Sequence, residues 1–223
     1  GRHNEFEAAV ARGLAMIAEG VDIIDIGGES TRPGAERVSE EEEIARVIPV
    51  ITELAKHGTV ISIDTMRAST AEAAIKAGAS IINDVSGGLA DPDMLQTVAR
   101  LQVPYIAMHW RGQSKDMNSK AIYADVVSDV ISELNERIDA ALDAGIQKDK
   151  LIIDPGIGFA KDAEHNWAII DAIDQFVALG YPVLVGGSRK RFLGGETPDE
   201  REQATIELTK RLGTTGVWAV RVH

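Results

Sequence analysis

The stretch VISIDTMRASTAEAAIKAGASIIND, residues 60–84, is the clearest indication of the fold, because it has the pattern of a strand, a helix and a second strand. The mainly apolar runs at 60–63 and 81–82 are typical of short buried strands. Between them, Ser69 and Glu72 have the spacing of a capping box, which predicts the start of a helix, and Gly78 predicts its end. This order predicts two parallel strands joined by a right-handed crossover.

The same alternation extends along the whole chain. Short apolar runs predict strands at 21–26, 60–63, 80–83, 103–108, 151–153, 182–185 and 217–222. Apolar residues recur at helical spacing before the first run and between the others, so we expect about seven helices. Strands that alternate with helices form a parallel sheet, which is either an open doubly wound sheet or an eight-stranded barrel.

Two features favour the barrel. The strands are regularly spaced, and no Gly-x-Gly-x-x-Gly motif follows the first of them. A (β/α)8 TIM barrel needs eight strands, whereas this sequence begins with a helix and ends on a strand. We therefore expect the first strand and the last helix to be lacking from the sequence given. No linker divides residues 1–223, which predicts a single barrel domain.

Composition excludes several classes of protein. The 223 residues are 44% hydrophobic and 26% charged, which is typical of a globular domain. The chain has 0 cysteines, so disulfides and thiolate metal sites are excluded and a cytoplasmic location is favoured. A net charge of -12 argues against a nucleic-acid binder, and no apolar stretch is long enough to span a membrane.

Polar side chains stand where the predicted strands end, which is the edge at which barrels carry their active sites. Asp64, Asn83 and Asp154 supply short acceptor and amide groups suited to a flat heterocycle with several N–H donors. A site for a divalent cation is the alternative for these three residues. Asp64 also has the position of a plain helix cap.

Basic residues from three loops stand out against the acidic background. They are Arg32, Arg189, Lys190, Arg221 and His223, with Ser188 beside them. Gly186 and Gly187 allow the backbone to approach a ligand closely. This group predicts a site for phosphate or carboxylate, and the alternative is a set of solvated surface charges.

Six segments in chain order carry a resemblance to a known family. They are residues 27–34 (GGESTRPG), 62–65 (SIDT), 82–88 (INDVSGG), 154–159 (DPGIGF), 188–190 (SRK) and 221–223 (RVH). Together they resemble bacterial dihydropteroate synthases over essentially the whole chain. The segment MHWR at 108–111 is most similar to actinobacterial members.

The resemblance implies a transferase of folate biosynthesis. It would condense 6-hydroxymethyl-7,8-dihydropterin pyrophosphate with p-aminobenzoate to give 7,8-dihydropteroate and pyrophosphate, with Mg²⁺ assisting. The family suggests a cytoplasmic homodimer that acts on small molecules, is a target of sulfonamides, and binds neither nucleic acid nor membrane.

Matching motifs assign the site residues residue by residue. The pterin site comprises Asp64, Asn83, Met108, Asp154, Phe159 and Lys190. The pyrophosphate site comprises Arg32, Arg221 and His223, and the p-aminobenzoate site comprises Thr31, Arg32, Pro33, Phe159 and Lys190. Lys190, Asp64 and Arg221 are the catalytic candidates.

Two departures from the family concern the second substrate and the metal. Arg191 follows the SRK lysine, where many relatives have serine near the p-aminobenzoate carboxylate. The family's first strand contributes an asparagine at the Mg²⁺–pyrophosphate site and a phenylalanine near p-aminobenzoate, and this segment is not in the sequence given. We therefore expect an incomplete metal site whose ligands are unknown.

Two alternatives stay open. Another pterin-binding barrel, such as a methyltetrahydrofolate:corrinoid methyltransferase, shares an Asp/Asn/Asp pocket but needs no pyrophosphate anchors. A degenerate paralogue would bind a pterin, or serve as a scaffold, without catalysis. The intact motifs argue against both.

Overall fold

The fold is given by a computed structural model of the chain, which describes residues 2–31, 37–113 and 117–222. Within these residues the strands are β1 (Ile23–Gly27), β2 (Val60–Asp64), β3 (Ile81–Asp84), β4 (Tyr105–Met108), β5 (Leu151–Asp154), β6 (Leu184–Val185) and β7 (Ala219–Val220). The helices are α1 (Arg2–Glu19), α2 (Glu40–Ala55), α3 (Ala68–Ala77), α4 (Met94–Leu101), α5 (Val126–Asp143), α6 (Ala163–Asp171), α7 (Ile173–Val177) and α8 (Glu202–Leu212). Single 3₁₀ turns occur at Met117–Lys120, Lys148–Lys150, Arg191–Leu193 and Asp199–Arg201.

The strands follow one another around the sheet in chain order. Strands β1 to β5 form a parallel sheet of 5 strands, and β6 pairs in parallel with β7. A parallel bridge between Ile153 and Val183 connects the two groups. The described strands therefore form an arc of a (β/α)8 TIM barrel, with β1 and β7 at its edges, as the alternation predicts.

The two faces of the strands have different roles. Outward-facing residues pack against the helices in one large core that includes Ile63, Ile82 and Tyr105. Inward-facing Ile81, Ile106, Ile152 and Leu184 form a separate apolar cluster near the start of the strands. Because side chains alternate along a strand, the residues two positions further on face the same interior at its other end.

The helix starts only partly follow the capping patterns. Ser39, which has Glu42 three residues later, accepts a hydrogen bond from the Glu42 amide at 3.2 Å and so caps the start of α2. The cap predicted at Ser69 is wrong, because α3 begins at Ala68, whose amide donates to Asp91 Oδ2 at 2.8 Å. A carboxylate from a distant loop replaces the local cap.

A buried carboxylate shapes the loop that follows β3. Asp84 accepts hydrogen bonds from the amides of Ser86 and Gly88, each at 2.8 Å, and from the Ser86 hydroxyl at 2.7 Å. The hydroxyl of fully buried Tyr105 donates to Asp84 at 2.8 Å. Burial raises the pKa of Asp84, so each of these donors helps to keep the group charged.

The Tyr105→Phe variant tests this arrangement. Removal of one hydrogen bond to a buried carboxylate should lower the free energy of unfolding by about 1.5–3 kcal/mol. Urea unfolding followed by circular dichroism measures the change. Tyr181→Phe is the matched control, because Tyr181 is only partly buried, and it should change stability by less than about 0.5 kcal/mol. Equal stability of the two variants would contradict the role given to the Tyr105 hydroxyl.

Candidate active site

Acidic and amide side chains meet at the carboxyl end of the strands. Asp64 is paired in register with Asn83 on the neighbouring strand, and Met108 with Asp154. Asn83 and Asp154 are each 2% exposed, whereas the side chain of Asp64 is 18% exposed. The structure thus brings together the predicted acceptors on one interior surface.

Asp25 is a central member of this group, although it is absent from the predicted site residues. Its Oδ2 accepts a hydrogen bond from the Asn83 amide nitrogen at 3.1 Å, and its Oδ1 accepts from the Ser62 hydroxyl at 2.7 Å. Because the amide nitrogen of Asn83 is directed at Asp25, its carbonyl oxygen lies on the opposite side. Asp25 could have been found from the sequence as an acidic residue within an apolar strand, on the same face as Ile23 and Gly27.

Arg221 bridges the two edges of the arc. Its Nη1 lies 3.0 Å from Asp25 Oδ2 on β1 and 3.8 Å from Asp64 Oδ2 on β2, while Arg221 itself follows β7. Burial alone would lower the pKa of Arg221, but the charges of Asp25, Asp64 and Asp154 raise it above its ordinary value. The guanidinium is therefore a fixed positive charge inside an acidic pocket.

Burial also alters the carboxyl groups of this pocket. It raises the pKa of Asp64 well above its usual range, the charge of Asp25 adds to the effect, and Arg221 opposes it. Burial likewise raises the pKa of Asp154, against the charge of Arg221 and a 2.7 Å hydrogen bond from the Gly156 amide. A ligand that donates N–H groups to Asp64 and Asp154 would stabilise the charged form of both carboxyl groups.

Lys190 lies against the loop that follows β5. We call residues 155–160 the β5 loop. The Lys190 ammonium donates to the carbonyl of Ile157 and lies 4.6 Å from the centre of the Phe159 ring. The pKa of Lys190 is lowered to about 7, mainly by burial and secondly by the charge of Arg221. An anionic ligand would reverse this shift by stabilising the charged form.

An apolar wall completes the pocket. Met108 and Phe159 belong to one buried cluster with Met66, Val85 and Ala160. Met108 is 1% exposed and Phe159 is 8% exposed. The predicted pair thus forms a hydrophobic surface beside the polar groups, as a flat aromatic ligand requires.

The other predicted site residues fall into two groups. Arg32, Pro33 and His223 lie outside the described residues, and Thr31, which is half-buried, is the last described residue before 32–36. Arg189 does not join the anion site, because its Nε donates to Glu202 at 2.9 Å. The Arg189 side chain therefore pairs with the start of α8.

The donor set in the described residues does not fit a complete metal site. Residues 2–31, 37–113 and 117–222 contain no cluster of three His, Asp or Glu side chains suited to hold an ion. The adjacent acids Asp25 and Asp64 both face the Arg221 guanidinium, so a cation already occupies their common side.

The chain is similar to known proteins along its whole length. A family model described as pterin binding enzyme matches residues 1–223. The chain is 48% identical to a dihydropteroate synthase of Mycobacterium leprae (strain TN), over 100% of this chain and 82% of that protein.

Solved structures of dihydropteroate synthases are also similar to the chain. The Xanthomonas albilineans dihydropteroate synthase with 4-aminobenzoic acid has a TM-score of 0.93 and 43% identity, covering 98% of this chain and 79% of that one. The Yersinia pestis dihydropteroate synthase in a sulfonamide drug complex has a TM-score of 0.95 and 36% identity, covering 100% of this chain and 82% of that one. From these matches along its whole length, the chain belongs to the pterin-binding enzyme family and, within it, to the dihydropteroate synthases.

Proposed function

We propose that this chain condenses 6-hydroxymethyl-7,8-dihydropterin pyrophosphate with p-aminobenzoate, releasing pyrophosphate and forming 7,8-dihydropteroate. The observation that carries the proposal is the pocket itself, in which Arg221 is fixed among acceptors for a pterin and Lys190 lies beside Phe159. A Xanthomonas albilineans relative holds 4-aminobenzoic acid, which supports the second substrate.

The acceptors bind the pterin. Its ring N–H and amino groups donate to the carboxyl groups of Asp64 and Asp154 and to the carbonyl oxygen of Asn83. Because Asn83 is already oriented by Asp25, and Asp154 by the Gly156 amide, little reorganisation of these two residues is needed when the ring enters. The buried Met108 supports the face of the ring.

The cations act on the leaving group. The bond between the pterin methylene carbon and the pyrophosphate oxygen breaks, and its electron pair leaves with the pyrophosphate. Arg221 stabilises the negative charge that develops there. The amine nitrogen of p-aminobenzoate then forms a bond to the methylene carbon and loses a proton to solvent. No covalent nucleophile is required, and Lys190 lies where the two substrates meet.

Magnesium enters the proposal as part of the substrate. Mg²⁺ is commonly held by phosphate oxygens with only one or two protein carboxylates. We propose that it arrives bound to the pyrophosphate group, and that pterin binding alone does not require it.

The family resemblance supports a proposal for the assembly and location of the protein. We propose a cytoplasmic homodimer that binds small molecules and is inhibited by sulfonamides, as the drug complex of the Yersinia pestis relative suggests. Among the described residues, no helix has the length and apolarity needed to cross a bilayer. Residues 1–223 as one domain stay a prediction.

Release of pyrophosphate is the decisive experiment. The protein is mixed with both substrates and Mg²⁺, and pyrophosphate is measured with a coupled assay. Release that depends on both substrates supports the function. A protein that binds pterin but releases nothing would be a degenerate member of the family, and methyl transfer from methyltetrahydrofolate would indicate the corrinoid-dependent reaction.

The Asp154→Asn variant tests the pterin site. It retains the shape but removes a charged acceptor worth roughly 1.5–3 kcal/mol, so pterin affinity should fall about ten- to a hundredfold. Calorimetry with 6-hydroxymethylpterin in EDTA measures this. Asp171→Asn is the control, because Asp171 is 65% exposed on its side chain and pairs with Arg211. Unchanged affinity in Asp154→Asn, or loss of wild-type binding in EDTA, would argue against the assignment.

The Lys190→Ala variant tests the meeting point of the substrates. It leaves a gap beside Ile157 and Phe159, and a misplacement of about 1 Å costs on the order of a hundredfold in rate. Turnover should therefore fall much more than pterin affinity. Steady-state pyrophosphate release and pterin calorimetry are compared on the same preparation. Turnover within about threefold of wild type would exclude Lys190 from the reaction and make Arg191 the better candidate.

A further inference from the structure

A buried lysine holds the β5 loop at both ends. Lys161 follows this loop directly and is only 8% exposed. Its ammonium donates to the carbonyl of Gly156 at 3.1 Å and to that of Phe159 at 3.0 Å. The loop between these carbonyls presents the Ile157 carbonyl and the Phe159 ring to Lys190. Lys161 itself is not among the predicted site residues.

A third contact orients Lys161. Its Nζ lies 2.8 Å from Nδ1 of His109, which is 1% exposed, and Nε2 of the same ring lies 2.9 Å from Glu133 Oε2. Glu133 is also held by Arg111. Burial alone would raise the pKa of Glu133, but His109 and Arg111 lower it to about 2, so this carboxylate only accepts hydrogen bonds.

These contacts define the protonation of the ring. Because ionised Glu133 cannot donate, the His109 proton is on Nε2, and Nδ1 is left as an acceptor. The pKa of His109 is lowered to about 4, mainly by burial and secondly by the charge of Lys161. The ring is therefore neutral near pH 7. Lys161 thus has three acceptors for the three N–H groups of an ammonium. These contacts favour the charged form, although burial lowers the Lys161 pKa to about 7.

The β5 loop needs such support because its backbone turns through three residues with positive φ, one of which, Ala160, is strained. Gly156 and Gly158 have φ of +70° and +79°, and Ala160 has a φ of +48°, which non-glycine residues rarely adopt. A Cβ at Gly156 would lie 2.5 Å from the His109 carbonyl oxygen. Conformations of this kind persist only where surrounding contacts enforce them.

We propose that Lys161, oriented by His109 and Glu133, is a positioning residue for the transfer reaction. It holds the β5 loop in the shape that places Ile157 and Phe159 against Lys190, and it touches neither substrate. The proposal rests on the proposed function for its kinetic consequences. Of the pterin acceptors, only Asp154 is tied to the loop, through the Gly156 amide, whereas Asp64 and Asn83 belong to other strands, so loss of this support should affect turnover and p-aminobenzoate more than the pterin.

Two substitutions of His109 separate the two contacts of its ring. In His109→Asn, the side-chain oxygen lies near the former Nδ1 and can still accept from Lys161. In His109→Gln, the amide reaches the former Nε2 and keeps only the contact with Glu133. We expect the kcat of His109→Asn to lie within about threefold of wild type, and the kcat of His109→Gln to be about ten- to a hundredfold below wild type. KM for the pterin substrate should change little in both, and KM for p-aminobenzoate should rise in Gln.

Hydrogen–deuterium exchange tests the loop itself, without substrate. The amides of Gly158 and Phe159 are bonded to Asn166 Oδ1 at 2.7 Å and to the Gly156 carbonyl at 3.0 Å. Exchange in the peptide that covers 155–160 should be faster in Lys161→Met and His109→Gln, and unchanged in His109→Asn. Lys210→Met, at an exposed lysine of α8, is the control for loss of one charge.

The outcomes are decisive for the proposal. It is overturned by equal kcat values for the two His109 variants, or by unchanged exchange of 155–160 in both Lys161→Met and His109→Gln. Faster exchange along the whole chain of Lys161→Met would show a general loss of structure. In that case the comparison of His109→Asn with His109→Gln tests the proposal. A wild-type protein that releases no pyrophosphate contradicts the proposed function, while the exchange data still establish whether Lys161 holds the loop.

Discussion

The ion pair between Arg221 and Asp25 is the interaction on which the pocket depends. It joins the residue after β7 to β1, so it links the two edges of the arc of strands through their side chains. The same Asp25 carboxylate orients Asn83. Charged groups that are partly removed from water are stabilised by pairing and hydrogen bonding, and here the pairing also fixes the polar groups in place.

This arrangement explains why an acidic pocket can serve a reaction that releases an anion. Three acids face this interior: Asp25 within β1, Asp64 at the end of β2 and Asp154 at the end of β5. Without Arg221, they would repel one another and the leaving pyrophosphate. With it, the positive charge has a defined position, and the neighbouring carboxyl groups face a ligand rich in N–H donors. Apolar residues nearer the start of the strands close the interior on the other side.

The β5 loop shows how strain and function are separated in space. The residues that would contact substrate are on the loop and at its edge, whereas the contacts that enforce its backbone come from Lys161 and Asn166 behind it. His109 links this support to α5 through Glu133. A loop shaped in this way can hold Lys190 in one place, even though the burial of that lysine disfavours its charge.

The seven strands, their parallel order and the acceptors at their ends can be predicted from the amino-acid sequence, because these depend on short-range periodicity and on the geometry that all barrels share. It could not assign Asp25, whose role depends on Asn83 and Arg221, 58 and 196 residues away in the chain.

Three contacts become visible only in the folded chain: Lys161 is buried against His109, Arg189 pairs with Glu202, and Asp91 rather than Ser69 caps α3. The physical reason is common to all three. A polar side chain satisfies its hydrogen bonds with whichever partner the folded chain brings within reach, and local sequence does not encode that partner.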